Sequence, residues 1–310
     1  MLHLTFSMSE IFTKSLAYLL LIIGGYCLKK TKVLQSKDFH TLSTISINLT
    51  LPCVLISIFE SFYISIDWIY CILLGLVMNI ILISAGYFFT RKRSRSTQAL
   101  FMLNSSSFNI GGFVLPFFNG IYPATSIFYA SMFDVGNAIM CTGLTYACAA
   151  SRLDTSSKFQ FKDFFKRIFS SVPFVTYVIM ISLTMLDVHL PQGVYQVADI
   201  IGSANIVIIM IMLGLMVELK IDKEDFNDVI LHGVIRYSIL IICALLIYYF
   251  FPAPLIGKQI LILSIFSPIS SIMPAFSAKL NCKTSVYAAI NSLSMPISII
   301  ILSTLMTLWN

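Results

Sequence analysis

The sequence predicts an all-α integral membrane protein of ten transmembrane helices, arranged as two inverted five-helix halves. Three observations carry that prediction: the composition, the placement of positive charge, and landmarks that recur half a chain apart. Of the 310 residues, 58% are hydrophobic and 11% charged, and the mean hydropathy is +0.90. A soluble domain would carry about 25% charged residues, so lipid must be the solvent for much of this surface. A bilayer core of about 30 Å takes roughly 20 apolar residues per helix, so the length allows about ten spans. It leaves no room for a separate soluble catalytic domain.

Apolar runs place the spans at 10–28, 39–60, 68–90, 97–119, 124–150, 168–187, 196–219, 229–250, 256–279 and 284–308. The run from Ile11 to Leu28 is too long for a signal h-region. Lys29, Lys30 and Lys32 follow it where a small-residue cleavage site would stand, so it is expected to be an uncleaved first span.

Charge then orients the spans. The loops after spans 1, 3, 5, 7 and 9 hold seventeen of the twenty Lys and Arg residues. The positive-inside rule makes those loops cytoplasmic and puts both termini outside. Ile-, Lys- and Asn-rich composition with short loops suggests a bacterial cell membrane. The longest loop, 151–169, divides the chain into a first repeat (1–150), a cytoplasmic linker (151–167) and a second repeat (168–310). Phe159, Phe161, Phe164, Phe165 and Phe169 mixed with Lys and Arg suggest a linker helix resting on the headgroups.

An odd number of spans per half inverts the second half relative to the first. Asn48 in span 2 matches Asn205 in span 7, 157 residues on, and Pro116 in span 4 matches Pro274 in span 9, 158 residues on. Spans 4 and 9 are also the two whose apolar character is interrupted, by "NSSSFNIGGFVLP" and "SPISSIMPAFSAK". Broken helices at corresponding positions of two inverted halves are the sequence pointer to a transport site at mid-membrane. Proline removes a backbone donor, and Gly111 and Gly112 let the chain leave helical geometry. Backbone groups freed within lipid must meet protein, water or ligand. Asn109, Ser270 and Ser271 supply compact donors and acceptors, and half-helix ends suit ions. The bland alternative is a kink satisfied by neighbouring helices.

Asp134 lies inside span 5, where a carboxylate costs roughly 2.5–3.5 kcal/mol on insertion scales. Asn137 and Cys141 share its helix face. A proton relay, a cation ligand or a hydrogen-bonded structural acid are all open for Asp134. Asn291 and Ser292 in span 10 fall near the symmetry-related position. Apart from Lys258 and Lys279 near the ends of span 9, Lys14 and Arg236 are the basic residues within spans; snorkelling explains them, with a substrate-carboxylate role the alternative, for Arg236 more than for Lys14.

Other chemistries find little support. The seven cysteines form no CxxC pair and the four histidines have no partners at ligand spacing, so neither metal nor cofactor is expected. No Walker loop and no GxGxxG follows a strand, and the basic run at 91–95 reads as a cytoplasmic loop rather than a nucleic-acid contact. Without a second carboxylate or a His–nucleophile set at depth, an enzyme is not expected.

"SINLTLPCVLISIFES" (46–61), "FNIGGFVLP" (108–116) and "SMPISIIILSTL" (294–305) together resemble the auxin efflux carrier family, in order and spacing along essentially the whole chain. The resemblance implies two inverted five-helix repeats with crossing broken helices 4 and 9, an architecture like that of NhaA and the bile-acid symporters. It implies transport of a small organic anion, such as malate or an auxin-like acid, and a homodimer follows from it alone. Substrate-binding candidates are Asn109, Gly111, Gly112, Pro116, Ser270, Ser271, Pro274, Asn48 and Asn137, with Asp134 the candidate for Na+ or H+ coupling. Two departures stand out: Val172 replaces the family's Asn before Pro173, and span 7 lacks a proline usual there.

Overall fold

The computed structural model describes residues 8–61, 67–118, 121–153, 166, 168–217, 225–270 and 272–309. The described residues form helices and the turns between them, with no β-strand. Five helices are long and apolar enough to cross a membrane. They are α2 (Ser36–Ile58), α3 (Asp67–Thr90), α9 (Gln192–Met216), α10 (Phe226–Phe250) and α13, whose full extent is Thr284–Trp309.

The other apolar runs give helices that are interrupted, shorter or flanked by charge. Helix α1 (Met8–Lys30) ends on Lys29 and Lys30, cations placed where a helix C-terminus favours them. The run at 97–119 becomes α4 (Arg95–Ser105), a stretch outside the helix, a π-helical turn (Ile110–Val114) and α5 (Leu115–Phe118). Span 5 is α6 (Ala124–Ile139), a second π turn (Met140–Leu144) and α7 (Thr145–Ala150). Helix α8 covers Val172–Met185, with Pro173 in its first turn, where the missing N–H breaks no internal bond. The run at 256–279 splits into α11 (Leu255–Ile265) and α12 (Met273–Lys279). Both splits fall where Ser, Asn, Gly and Pro interrupt the apolar pattern. Most of the 151–167 linker, and so its expected headgroup helix, lies outside the described residues.

The bundle is held by close helix pairs: α1 on α9, α3 on α6, α2 on α9 and α3 on α4. In lipid the apolar effect between helices is weak, so small residues that let backbones approach do much of this work. A Cβ built on Gly75 of α3 would lie 2.2 Å from the Phe133 carbonyl oxygen, and one on Gly136 of α6 would lie 2.0 Å from that of Ile72. The α3–α6 contact is therefore set by two hydrogens facing two carbonyls. It matters for the site because Asp134 and Asn137 flank Gly136 in the chain. Leu55, Phe113, Phe117, Phe133 and Leu213, all fully buried, join the largest apolar core between α2, α5, α6 and α9.

Gly136→Val is expected to push α6 off α3 and destabilise the fold by about 1–3 kcal/mol, the usual cost of overpacking. Thermal unfolding of the detergent-purified variant checks this; a midpoint equal to wild type would show that α3 and α6 are not held at this contact.

Candidate functional site

The site is built where the two split helices meet. Helix α4 starts on a capped turn, with the Ser94 hydroxyl accepting from the Thr97 N–H at 3.2 Å. It stops at Ser105. Ser106 turns extended, Ser107 takes a left-handed φ of 72°, and Asn109 sits at φ −87°, ψ 64°. A left-handed serine costs on the order of 1–3 kcal/mol and persists only where its surroundings over-determine it.

Two amides supply that constraint. Asn79 of α3 accepts from the Ser107 N–H at 2.7 Å. Asn137 of α6 accepts from the Phe108 N–H at 3.1 Å and donates to the Phe108 carbonyl at 2.8 Å, acting as a substitute β-partner. Asn79 also donates to Asn137 at 3.2 Å and to the Gly75 carbonyl at 2.8 Å. Backbone that leaves a helix inside lipid must find partners, and here two side-chain amides provide them.

The second break is held more sparingly. After α11 the chain runs through Ser267, Pro268 and Ile269 before α12 begins. The Ile269 N–H donates to the Ser294 hydroxyl at 3.4 Å, and Ser294 donates to the Asn291 carbonyl at 2.8 Å. Asn291 leaves both side-chain atoms buried without a partner, and the Ser292 hydroxyl donates to the Met216 carbonyl at 3.4 Å.

The two breaks touch. The Asn109 N–H donates to the Pro268 carbonyl at 2.9 Å. Nearby, Asn104 of α4 donates to the Ser277 hydroxyl of α12 at 3.5 Å. Arg236 of α10 completes the junction by donating from Nη1 to the Ser105 carbonyl and from Nη2 to the Ser267 carbonyl at 3.4 Å. Its guanidinium lies 5.2 Å from the centre of the Phe108 ring, within cation–π range. These carbonyls are at the C-terminal ends of α4 and α11, where dipoles favour a cation. Arg236 is 1% exposed. Snorkelling to the headgroups therefore does not describe it. Among the described residues no carboxylate is ion-paired with it.

Asp134 stands on the other side of the first break. It accepts from the Asn137 amide at 2.9 Å, from the Tyr177 hydroxyl of α8 at 3.1 Å, and from the Gly111 N–H. A Cβ on Gly111 would come 3.1 Å from its Oδ2, so glycine lets the carboxylate close on the backbone. The amide end of the second half-helix, expected to be open to a ligand anion, is thus already served by the protein's own carboxylate.

Most of the expected site residues converge here. Asn109 is buried with its Nδ2 unpartnered. Gly112 is beside it: a Cβ there would lie 2.3 Å from Asn109 Oδ1. Ser270 is half-buried, with its hydroxyl in reach of the Cys141 thiol, which itself donates to Asn137 Oδ1 at 3.2 Å. Pro116 and Pro274 are each the second residue of their helix, α5 and α12, with the π turn Ile110–Val114 between the first break and Pro116. Ser271 lies outside the described residues.

Asn48 is the exception and is corrected. It is exposed, donating to the Thr44 carbonyl of its own helix at 3.0 Å. A third π turn, Ser46–Thr50, rotates Ser46 and Thr50 inward instead, and both donate to the buried Asn205 Oδ1, at 2.9 and 2.7 Å. Asn79, Tyr177 and Ser294 were not singled out in the sequence. Asn79 offered a signal, as the sole amide in the 24-residue α3. Tyr177 had none among fourteen tyrosines. From Gln98 to Gly111 every residue is buried. No group of metal-ligating side chains occurs among the described residues.

Membrane-crossing helices, an internal break held by buried amides and a buried arginine across two helix ends define a multi-pass membrane protein with a polar centre. A family model described as "Membrane transport protein" matches residues 10–168, half of the chain, and the chain belongs to that family, the one of the auxin efflux carriers. No curated protein sequence matches it.

Asn137→Leu is expected to leave the Phe108 N–H and carbonyl unpaired at about 1–3 kcal/mol each. Its unfolding midpoint should fall well below that of Cys141→Ala, which leaves both bonds intact; equal midpoints would mean Asn137 does not hold the break.

Proposed function

We propose that the protein is a secondary transporter of a small organic anion, a carboxylate such as malate or an auxin-like acid, working by alternating access around the junction of its two broken helices. The observation that carries this reading is Arg236: a buried guanidinium at mid-helix, bonded to two carbonyl ends and, among the described residues, to no carboxylate. A buried cation balanced only by dipoles and an aromatic face favours an arriving anion. The unpartnered Nδ2 of Asn109 and hydroxyls of Ser105 and Ser267 are compact donors at the same place. In this reading Asn109, Gly111, Gly112, Ser270 and Ser271 line the substrate path, Pro116 and Pro274 fix the breaks, and Asn137 holds the first of them. Asn48 has no part in it.

The same reading takes the chain as ten spans in two inverted repeats, 1–150 and 168–310, in the cell membrane with both termini outside. Ser294 follows Asn137 at the interval that separates Asn205 from Asn48, and both serve the backbone of a break. The ion pairs Lys283–Asp225 and Arg93–Asp228 (3.6 Å) join loops that the charge pattern assigns to one side.

Asn109→Ala is expected to abolish carboxylate uptake into proteoliposomes while expression and unfolding midpoint stay at wild-type values. Unchanged uptake would overturn the assignment of the junction as the substrate site.

A second reading, coupling to H+ or Na+, is favoured by Asp134. Its carboxylate occupies the Gly111 N–H, so a charge change there alters the donors available at the break. Asp134→Asn is expected to keep downhill exchange but lose the dependence of uptake on an imposed pH or Na+ gradient. Retained gradient dependence removes this option.

A further inference from the structure

A cavity of about 240 Å3 lies between α10 and α13, apart from the Asn109–Pro268 contact but sharing Arg236 with it. Its outer rim is apolar and faces outward: Ile230 is 50% exposed, Val234 59% and Leu293 40%. Both bounding helices are long and apolar enough to cross a membrane, and we take this opening to face hydrocarbon. Its inner wall includes Arg236 and His232, buried at 1% and 2% exposure, whose Nε and Nε2 have no partner.

The guanidinium is used unevenly. Nη1 is committed to Ser105, whereas the Nε–Nη2 edge carries only the 3.4 Å contact with Ser267. That edge is one of the two faces on which arginine takes a carboxylate with paired hydrogen bonds. Arg236 is the eleventh residue of α10, about 15 Å along the axis at 1.5 Å per residue, near the bilayer centre. Size limits the occupant. A 150 Å3 apolar cavity holds benzene, and by proportion this one takes about ten heavy atoms.

We propose that this cavity is a second binding site, entered from the bilayer, for an amphipathic monocarboxylate of about ten heavy atoms, whose chain packs between α10 and α13 and whose carboxylate meets Arg236. Charge complementarity selects this occupant over a purely apolar one, because the inner wall includes a buried cation whose Nε has no partner. The site goes beyond the transport reading and can be tested without transport.

Gly233 gives a clean handle. It lines the cavity one turn before Arg236, and a Cβ there meets nothing within 4 Å. Leucine would fill the space while improving helix propensity. The probe is radiolabelled octanoate at pH 8, bound to the full chain in phosphatidylcholine nanodiscs, with empty discs as background. We expect saturable binding near one per chain, weakened at least tenfold by Gly233→Leu and by Ile297→Phe from the opposite wall, and retained in Asn109→Ala. Octanol, with the same chain and no charge, should bind at least tenfold more weakly. Three results would each overturn the proposal. These are no saturable binding, equal binding of octanol, or binding lost in Asn109→Ala but kept in Gly233→Leu, which places octanoate at the junction. A phospholipid retained by wild type and released by Gly233→Leu would assign the cavity to a lipid chain, and a dimer dissociated by that variant would assign it to a second copy. Failure of the Asn109→Ala uptake test leaves these outcomes untouched, so the two readings fail separately.

Discussion

Arg236 bridging the carbonyls of Ser105 and Ser267, together with the backbone bond from Asn109 to Pro268, is the constraint on which the centre of the molecule depends. A helix that stops inside lipid leaves carbonyls without partners, and each such group costs several kcal/mol in hydrocarbon. Two helices stopping at one place would double that burden. One guanidinium serves an end of each, and its five donors in a planar fork suit it to the task better than an ammonium point charge. The arrangement also runs the other way: an isolated buried cation is tolerated because two dipole ends and the Phe108 ring face it. Neither the breaks nor the charge is stable alone.

The two breaks are not held equally. The first has a left-handed serine and two peptide groups fixed by Asn79 and Asn137, whose bonds to Ser107 and Phe108 run from 2.7 to 3.1 Å. Among the described residues the second has the Ser294 hydroxyl on the Ile269 N–H at 3.4 Å, Arg236 on the Ser267 carbonyl and the Asn109 N–H on the Pro268 carbonyl, with the neighbouring Asn291 amide unpartnered. Both breaks keep unpartnered polar atoms, Asn109 Nδ2 and the Ser105 hydroxyl at the first and the Ser267 hydroxyl at the second. The better-held break belongs to the first half, which also carries the match to the transport family.

Composition and hydropathy made the all-helical membrane class legible, and the placement of Ser, Asn, Gly and Pro located both interruptions to within a few residues. Gly111, Asn109, Asn137 and Asp134 were found because polar or flexible residues at membrane depth need a reason. The partners were not legible. Asn79 meets Asn137 only because Gly75 and Gly136 bring α3 against α6, a tertiary fact with no trace in spacing. Arg236 looked like a snorkelling residue because its chain position does not say which way the side chain turns. Asn48 failed for a local reason: the π turn at Ser46–Thr50 shifts the helical phase, so the residue aligned with Asn205 faces outward while Ser46 and Thr50 face in.

Phe108 joins the two buried charges. Its peptide group is bonded on both sides to Asn137, which donates to Asp134, and its ring lies under the guanidinium of Arg236. The two groups are therefore linked by contacts to one residue in the middle of a break, rather than by an ion pair. An ion pair would cancel them and leave little for a ligand to act on. Held apart, each is balanced by dipoles: Arg236 by helix carbonyls, Asp134 by the Gly111 N–H, the Asn137 amide and the Tyr177 hydroxyl. Dipolar balance is weaker than a full countercharge, so an anion near Arg236 or a cation at Asp134 gains more from binding than it would at a compensated site. Coupling between distant sites requires an element with two arrangements that both can bias. The backbone from Ser106 to Asn109, outside any helix and held by Asn79 at Ser107, by Asn137 at Phe108 and by the Pro268 carbonyl at Asn109, is the element best placed to serve as one.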